Sequence, residues 1–116
     1  MSDTDPGGGT PLRRPVFHIL LALSRADLHG LGIAETVERD TGGTVELGPG
    51  TLYRSLKEMA HEGLIVEVEA PDEDADPRRK YYRATPEGRR LVSAEAARLA
   101  SLVRLAEERD VLPDRV

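Results

Sequence analysis

The residues best equipped for chemistry lie in Pro49-Gly50-Thr51-Leu52-Tyr53-Arg54-Ser55-Leu56-Lys57, and the chemistry they suit is contact with a polyanion. Leu52, Leu56 and Met59 recur at i, i+4 and i+7, so one face of a helix is apolar and turns inward. The opposite face collects Gly50, Thr51, Arg54, Lys57, Glu58 and His61, with Tyr53 on its flank. Small, hydroxyl-bearing and basic groups at the front of an exposed helix suit the major groove of double-stranded DNA. Taken alone, such a face is more often plain solvated surface. The elements on either side reverse that reading.

A first helix is expected to begin near Arg14, because Pro15 is tolerated only in a first turn. It puts Val16, Ile19, Leu20 and Leu23 on one face and Phe17 and Leu21 on a second, which implies two neighbours. Residues 27–30 form a break. A second helix over residues 30–41 carries Leu31, Ile33, Ala34 and Val37 inward and stops at Gly42-Gly43. Gly48 and Pro49 then open the third helix as N-cap and first residue. Two helices joined by a short link, the second basic at its front, make a helix-turn-helix.

Gly63 ends the third helix, and residues 64–69 alternate apolar and acidic side chains like a strand covered on one face. Residues 70–77 read as a loop and residues 80–84 as the returning strand, so the pair forms a hairpin wing. Tyr81 and Tyr82 alternate across it, one in the core and the other exposed as a phosphate contact. Thr85, Pro86 and Glu87 start a last helix. There Val92, Ala96, Leu99, Val103 and Ala106 form a heptad seam, widened by Leu91, Leu102 and Leu105. So small a domain has too little protein of its own to cover that stripe, and pairing with a second copy is the economical explanation.

The fold class expected is mainly α with a small β-hairpin wing, an α+β winged helix-turn-helix with a C-terminal dimerisation helix. Its parts are a disordered N-terminal arm over residues 1–12, the DNA-binding winged helix over 13–85, the dimerisation helix over 86–111 and a flexible tail over 112–116.

The 116-residue chain has a formal net charge of −5, which speaks against DNA only if charge is read globally. Residues 64–77 hold six acids and no base, whereas residues 78–90 hold Arg78, Arg79, Lys80, Arg83, Arg89 and Arg90 against Glu87 alone. With no cysteine, neither a disulfide nor a thiolate metal site is available. His18, His29 and His61 fall on three different elements, His29 at the start of the second helix, without ligand-like spacing, so no metal is expected. The acids of the wing tip lack the glycine-punctuated spacing of a calcium loop. No nucleophile elbow or phosphate-binding glycine loop is present, so no enzyme activity and no cofactor are expected. No apolar run approaches the ~20 residues of a membrane span, and a cytoplasmic location is the default expectation.

Over residues 15–105 the chain resembles the PadR family of winged-helix transcriptional regulators. Three blocks carry the resemblance: His29-Gly30 with Ile33-Ala34; Leu47-Gly48-Pro49-Gly50-Thr51-Leu52-Tyr53-Arg54 with Leu56 and Glu62-Gly63-Leu64-Ile65; and Arg79-Lys80-Tyr81-Tyr82-Arg83 with Thr85-Pro86, Gly88 and Arg89-Arg90. It implies a homodimer associating through the C-terminal and first helices, with the third helix in the major groove and the wing along the backbone. Members are mostly repressors, many released from DNA by small molecules, so a repressor with an effector of unspecified identity is implied.

The DNA-binding set expected is Pro49, Gly50, Thr51, Tyr53, Arg54, Lys57, Arg78, Arg79, Lys80 and Tyr81. The dimerisation set is Val16, Ile19, Leu20, Val92, Ala96, Leu99, Leu102, Val103 and Ala106. Two departures stand out. The tip reads Pro71-Asp72-Glu73-Asp74-Ala75-Asp76-Pro77, where wings that meet a groove usually present bases, and the chain has no tryptophan to sandwich a planar ligand. The rival reading is a winged-helix module that binds protein through this acidic wing and does not engage DNA. The MarR-type winged helix, with its larger helical dimerisation region, fits so short a chain less well.

Overall fold

Pro15 sets where the chain first coils: Arg13 is extended, Arg14 and Pro15 follow, and helix α1 runs Arg14–Leu23. The computed structural model describes residues 11–113. The arm expected over residues 1–12 therefore lies outside the described residues except for Pro11 and Leu12, and the tail except for Leu112 and Pro113.

After α1 come strand β1 (Leu28–His29), helix α2 (Gly30–Asp40), helix α3 (Pro49–His61), strands β2 (Ile65–Val68) and β3 (Tyr81–Ala84), and helix α4 (Pro86–Glu108). Four helices and a three-stranded antiparallel sheet of order β1-β3-β2 make an α+β winged helix. The core sits where the three short helices meet the sheet. Ile19, Leu20 and Leu23 from α1, Ile33 and Val37 from α2, and Leu52, Leu56 and Met59 from α3 close on one another and on Leu64, Ile65 and Ala84. Side chains of this size each stabilise the fold by about 1.5–3 kcal/mol when fully buried.

The turns follow from backbone chemistry. Gly42 and Gly43 take φ of 61° and 84°, which a side chain would strain, and Thr41 Oγ1 accepts the Val45 amide at 3.1 Å to close the corner. Gly63, at φ 80°, turns the chain out of α3. Thr85 then joins the end of α3 to the start of α4: its hydroxyl donates to the Gly63 carbonyl at 2.6 Å and accepts the Gly88 amide at 3.0 Å.

Several expectations are corrected. Leu31, placed inward from sequence, is 46% exposed on α2. The break before α2 contains β1, two residues paired with β3 in the register Leu28↔Tyr82 and His29↔Tyr81. In β2 the face expected to be covered is not continuous, because Val66 faces solvent and Val68 is half-buried while Ile65, on the opposite face, is buried. Helix α4 stops at Glu108 rather than 111, where Asp110 at φ 60° reverses the chain and the Val111 amide donates to the Ala106 carbonyl at 3.0 Å.

Val16, Ile19 and Leu20, named for dimerisation, are interior residues of the subunit, at 5%, 0% and 0% exposure. A partner copy cannot reach them; on α1 the apolar groups left outside are Leu21, exposed, and Phe17, half-buried. The stripe on the second half of α4 does stand open, with Leu99 at 37%, Leu102 at 49%, Val103 at 48% and Leu105 at 41%. Higher on α4, Glu95 is buried and meets Arg98 through two hydrogen bonds of 2.9 and 2.6 Å. Those bonds hold its carboxyl below the usual range against the opposing effect of burial.

Candidate nucleic-acid interface

The apolar face of α3 decides what its other face can do. With Leu52, Ser55, Leu56 and Met59 buried, Tyr53, Arg54 and Lys57 are turned to solvent, and Pro49 and Gly50 stand exposed at the helix front. Thr51 is half-buried. Neither Arg54 nor Lys57 has an ion-pair partner among the described residues. The acid next to Lys57 in the chain does: Glu58 accepts from Arg13 Nη2 at 3.1 Å, so its charge is met from the residue before α1. Sequence reasoning overlooked Arg13, since nothing local signals a contact across 45 positions.

The wing bases are in a different state. Asp76 accepts Arg78 Nε at 3.1 Å, Arg78 Nη2 at 3.2 Å and the Arg78 amide at 2.9 Å, and lies 3.6 Å from Arg79 Nε. The Arg78 side-chain hydrogen bonds, followed by its amide, lower the Asp76 carboxyl to about 2. The acidic tip therefore partly occupies the cations expected to meet phosphate. Lys80 is exposed with no such partner among the described residues. Further along, Arg83 pairs with Asp27 at 3.1 and 2.8 Å, and Arg90 with Glu87, so neither is an unpaired cation.

Tyr81, placed in the DNA-binding set, is 5% exposed and belongs to the core side of β3. Its ring meets His29 edge-on at 5.4 Å. Tyr82 takes the outward position instead, half-buried, with burial first and the nearby Glu67 charge second raising its phenol above the ordinary value. It stays a proton donor. His29 caps α2 as its Nδ1 accepts the Gly32 amide at 3.1 Å, and the Arg79 guanidinium lies 3.2 Å from the same nitrogen. Among the described residues no cluster of histidine and carboxylate side chains could hold a metal ion, and no helix is long and apolar enough to cross a membrane.

A helix-turn-helix whose second helix presents unpaired bases, followed by a wing and a long trailing helix, defines the class of winged helix-turn-helix transcriptional regulators. The family model described as "Transcriptional regulator PadR-like family" matches residues 19–94, and the chain belongs to that family. It is 33% identical over 89 residues to the transcriptional regulator Rv3488 of Mycobacterium tuberculosis, covering 76% of this chain and 78% of that one. Among solved structures it is similar to a PadR family transcription regulator from hypervirulent Clostridium difficile, with a TM-score of 0.69, 24% identity, and 83% and 97% of the two chains covered. It is also similar to Bacillus subtilis PadR in complex with operator DNA, with a TM-score of 0.59, 23% identity, and 72% of this chain and 46% of that chain covered. The family is one of transcriptional regulators and not of enzymes.

Proposed function

We propose that this chain is a sequence-specific DNA-binding repressor, acting in the cytoplasm as a homodimer on an inverted-repeat operator. Residues 13–85 form its DNA-binding part and the helix within 86–111 its dimerisation part. The observation that carries the reading is the outward face of α3, where Arg54 and Lys57 are unpaired among the described residues while Glu58 is neutralised by Arg13. Helix α3 enters one major groove with Pro49, Gly50, Thr51 and Tyr53 at its front and flank. Arg54, Lys57, Arg78, Arg79 and Lys80 meet phosphates and fix register. Leu99, Leu102, Val103 and Leu105, exposed on α4, pack against the same helix of a second copy, with Ala96 and Ala106 completing the seam and Val92, half-buried against the subunit's own core, at its edge. Two-fold related recognition helices place the half-sites about one helical turn apart, ~34–36 Å. The resemblance adds release by a small molecule.

The test is a titration of duplexes selected from random DNA, with the oligomeric state measured in parallel. Lys57→Ala and Arg54→Ala are each expected to weaken selected and random duplexes and to reduce the slope of log affinity against log salt by about one. Unchanged affinity and slope in both variants would remove α3 from the interface. A dimer that selects no DNA would instead leave a winged helix that binds protein.

Asp76→Asn is expected to act in the opposite direction. Releasing Arg78 and Arg79 from their internal carboxylate raises affinity for any duplex by roughly threefold and steepens the salt dependence, within the range of an exposed ion pair. Fluorescence anisotropy at two salt concentrations checks this. A fall in affinity would show that Asp76 holds the bases in place for DNA rather than away from it.

A further inference from the structure

We infer that the cleft between the start of α2, the flank of α3 and the base of the wing is a seat for one backbone phosphodiester, held by the Tyr53 and Tyr82 hydroxyls with Arg79 and Lys80. This rests on the DNA-binding reading above and adds that these four side chains converge on a single phosphate. The cleft encloses about 340 Å³ and is lined by His29, Gly30, Tyr53, Arg79, Lys80 and Tyr82, with no carboxylate in its wall. Three separate elements supply those groups.

All the wall residues but Lys80 have an identifiable neighbour that sets their place. Tyr53 lies flat enough on Gly30 that a Cβ there would stand 2.7 Å from its hydroxyl, so the absent side chain is what lets the phenol reach the start of α2. Tyr82 is brought opposite by the β1–β3 pairing, Leu28↔Tyr82, which ties the base of the wing to that helix start. His29 Nδ1 accepts the Gly32 amide at 3.1 Å, and the Arg79 guanidinium lies 3.2 Å from the same nitrogen, which places the cation beside the helix opening. Neither phenol has a hydrogen-bond partner among the described residues, and the first amides of α2 have no intrahelical acceptor. Two phenols without an acceptor, Lys80 without a counter-charge among the described residues, and Arg79, whose carboxylate contact with Asp76 is as long as 3.6 Å, surround a small cleft and fit an oxyanion. The polymer is favoured over a free anion because Tyr53 sits on the helix that carries Arg54 and Lys57, so the next phosphates along a strand meet those bases.

The full chain is titrated with a selected duplex, a random duplex and inorganic phosphate as competitor at constant ionic strength. Tyr53→Phe and Tyr82→Phe keep both rings, and each is expected to weaken both duplexes roughly ten- to a hundredfold with an unchanged unfolding midpoint, as loss of a hydrogen bond to a charged group implies. Gly30→Ala, which displaces Tyr53, is expected to match Tyr53→Phe. Replacing single phosphates by neutral methylphosphonates is expected to find one position per half-site that weakens the wild type by clearly more than it weakens the variant carrying both phenylalanines, which keeps only Arg79 and Lys80 there. Wild-type binding with unaffected phenylalanine variants, or no such position, overturns the seat and leaves the DNA reading standing. Absence of duplex binding by the wild type overturns both. Displacement of the duplex by inorganic phosphate reassigns the seat to a free anion and overturns the diester.

Discussion

Gly88→Ala is expected to unfold most of the protein at temperatures where the wild type is stable, although it adds one methyl group. The added Cβ would stand 2.2 Å from the Leu64 carbonyl oxygen, 3.1 Å from its carbon and 3.0 Å from Leu20 Cδ2. The first two belong to the backbone that Thr85 is bonded to, through its amide to Leu64 O at 3.0 Å and its hydroxyl to Gly63 O at 2.6 Å. Relief therefore means parting α4 from the α3–β2 corner and opening the core beside Leu20. Overpacking that the backbone cannot absorb costs about 3 kcal/mol or more, a large part of the stability of a domain this size. A thermal midpoint lowered by roughly 10–20 °C is the corresponding shift. Gly50→Ala is the control, because nothing lies within 4 Å of a Cβ there and the backbone is ordinary helix. Equal midpoints for the two variants would mean that α4 does not dock as described. Gly30 shows the contrast: a Cβ there meets a half-exposed tyrosine ring, which can swing away.

Leu102→Glu is expected to convert a dimer into a folded monomer and to reduce affinity for a two-half-site operator by about a hundredfold or more, the loss of one tethered site. Leu102 is 49% exposed on α4, between Leu99 and Leu105, and is not a residue of the central core. A carboxylate there is solvated in the single subunit but would be desolvated against the apolar stripe of a partner. Val66→Glu, also placed on an exposed apolar side chain but on the wing, should leave the dimer intact. Sedimentation equilibrium reads the assembly and anisotropy the affinity. A Leu102→Glu protein that still sediments as a dimer would sink the α4 seam as the contact.

Much of the architecture was legible in the residues. Pro15, Pro49 and Pro86 marked helix starts, Gly42, Gly43 and Gly63 marked left-handed turns, and Leu52, Leu56 and Met59 gave the inward face of α3 from spacing alone. The outward face followed from it by geometry. Local devices of this kind act within one turn of chain, so the sequence around them suffices. The failures share a cause. Strand β1 is two residues long, too short to show a period, and exists because β3 arrives beside it. Between Tyr81 and Tyr82, alternation says that one is buried and only the register with His29 says which. Val16, Ile19 and Leu20 read as an apolar face wanting a neighbour, and whether that neighbour is α3 or another subunit is not a local property.

The candidate interface divides along the same line. Order and spacing alone determined that a basic-fronted helix stands ahead of a wing and a long apolar-striped helix. Only the folded chain decided which of its charges are unpaired: Asp27 takes Arg83, Asp76 holds Arg78 and approaches Arg79, and Arg13 meets Glu58, leaving Arg54, Lys57 and Lys80 without a counter-charge among the described residues. Helical and strand periods are written in neighbouring residues, whereas an ion pair depends on two side chains coming within about 4 Å, and contacts between positions far apart in the chain are set by packing.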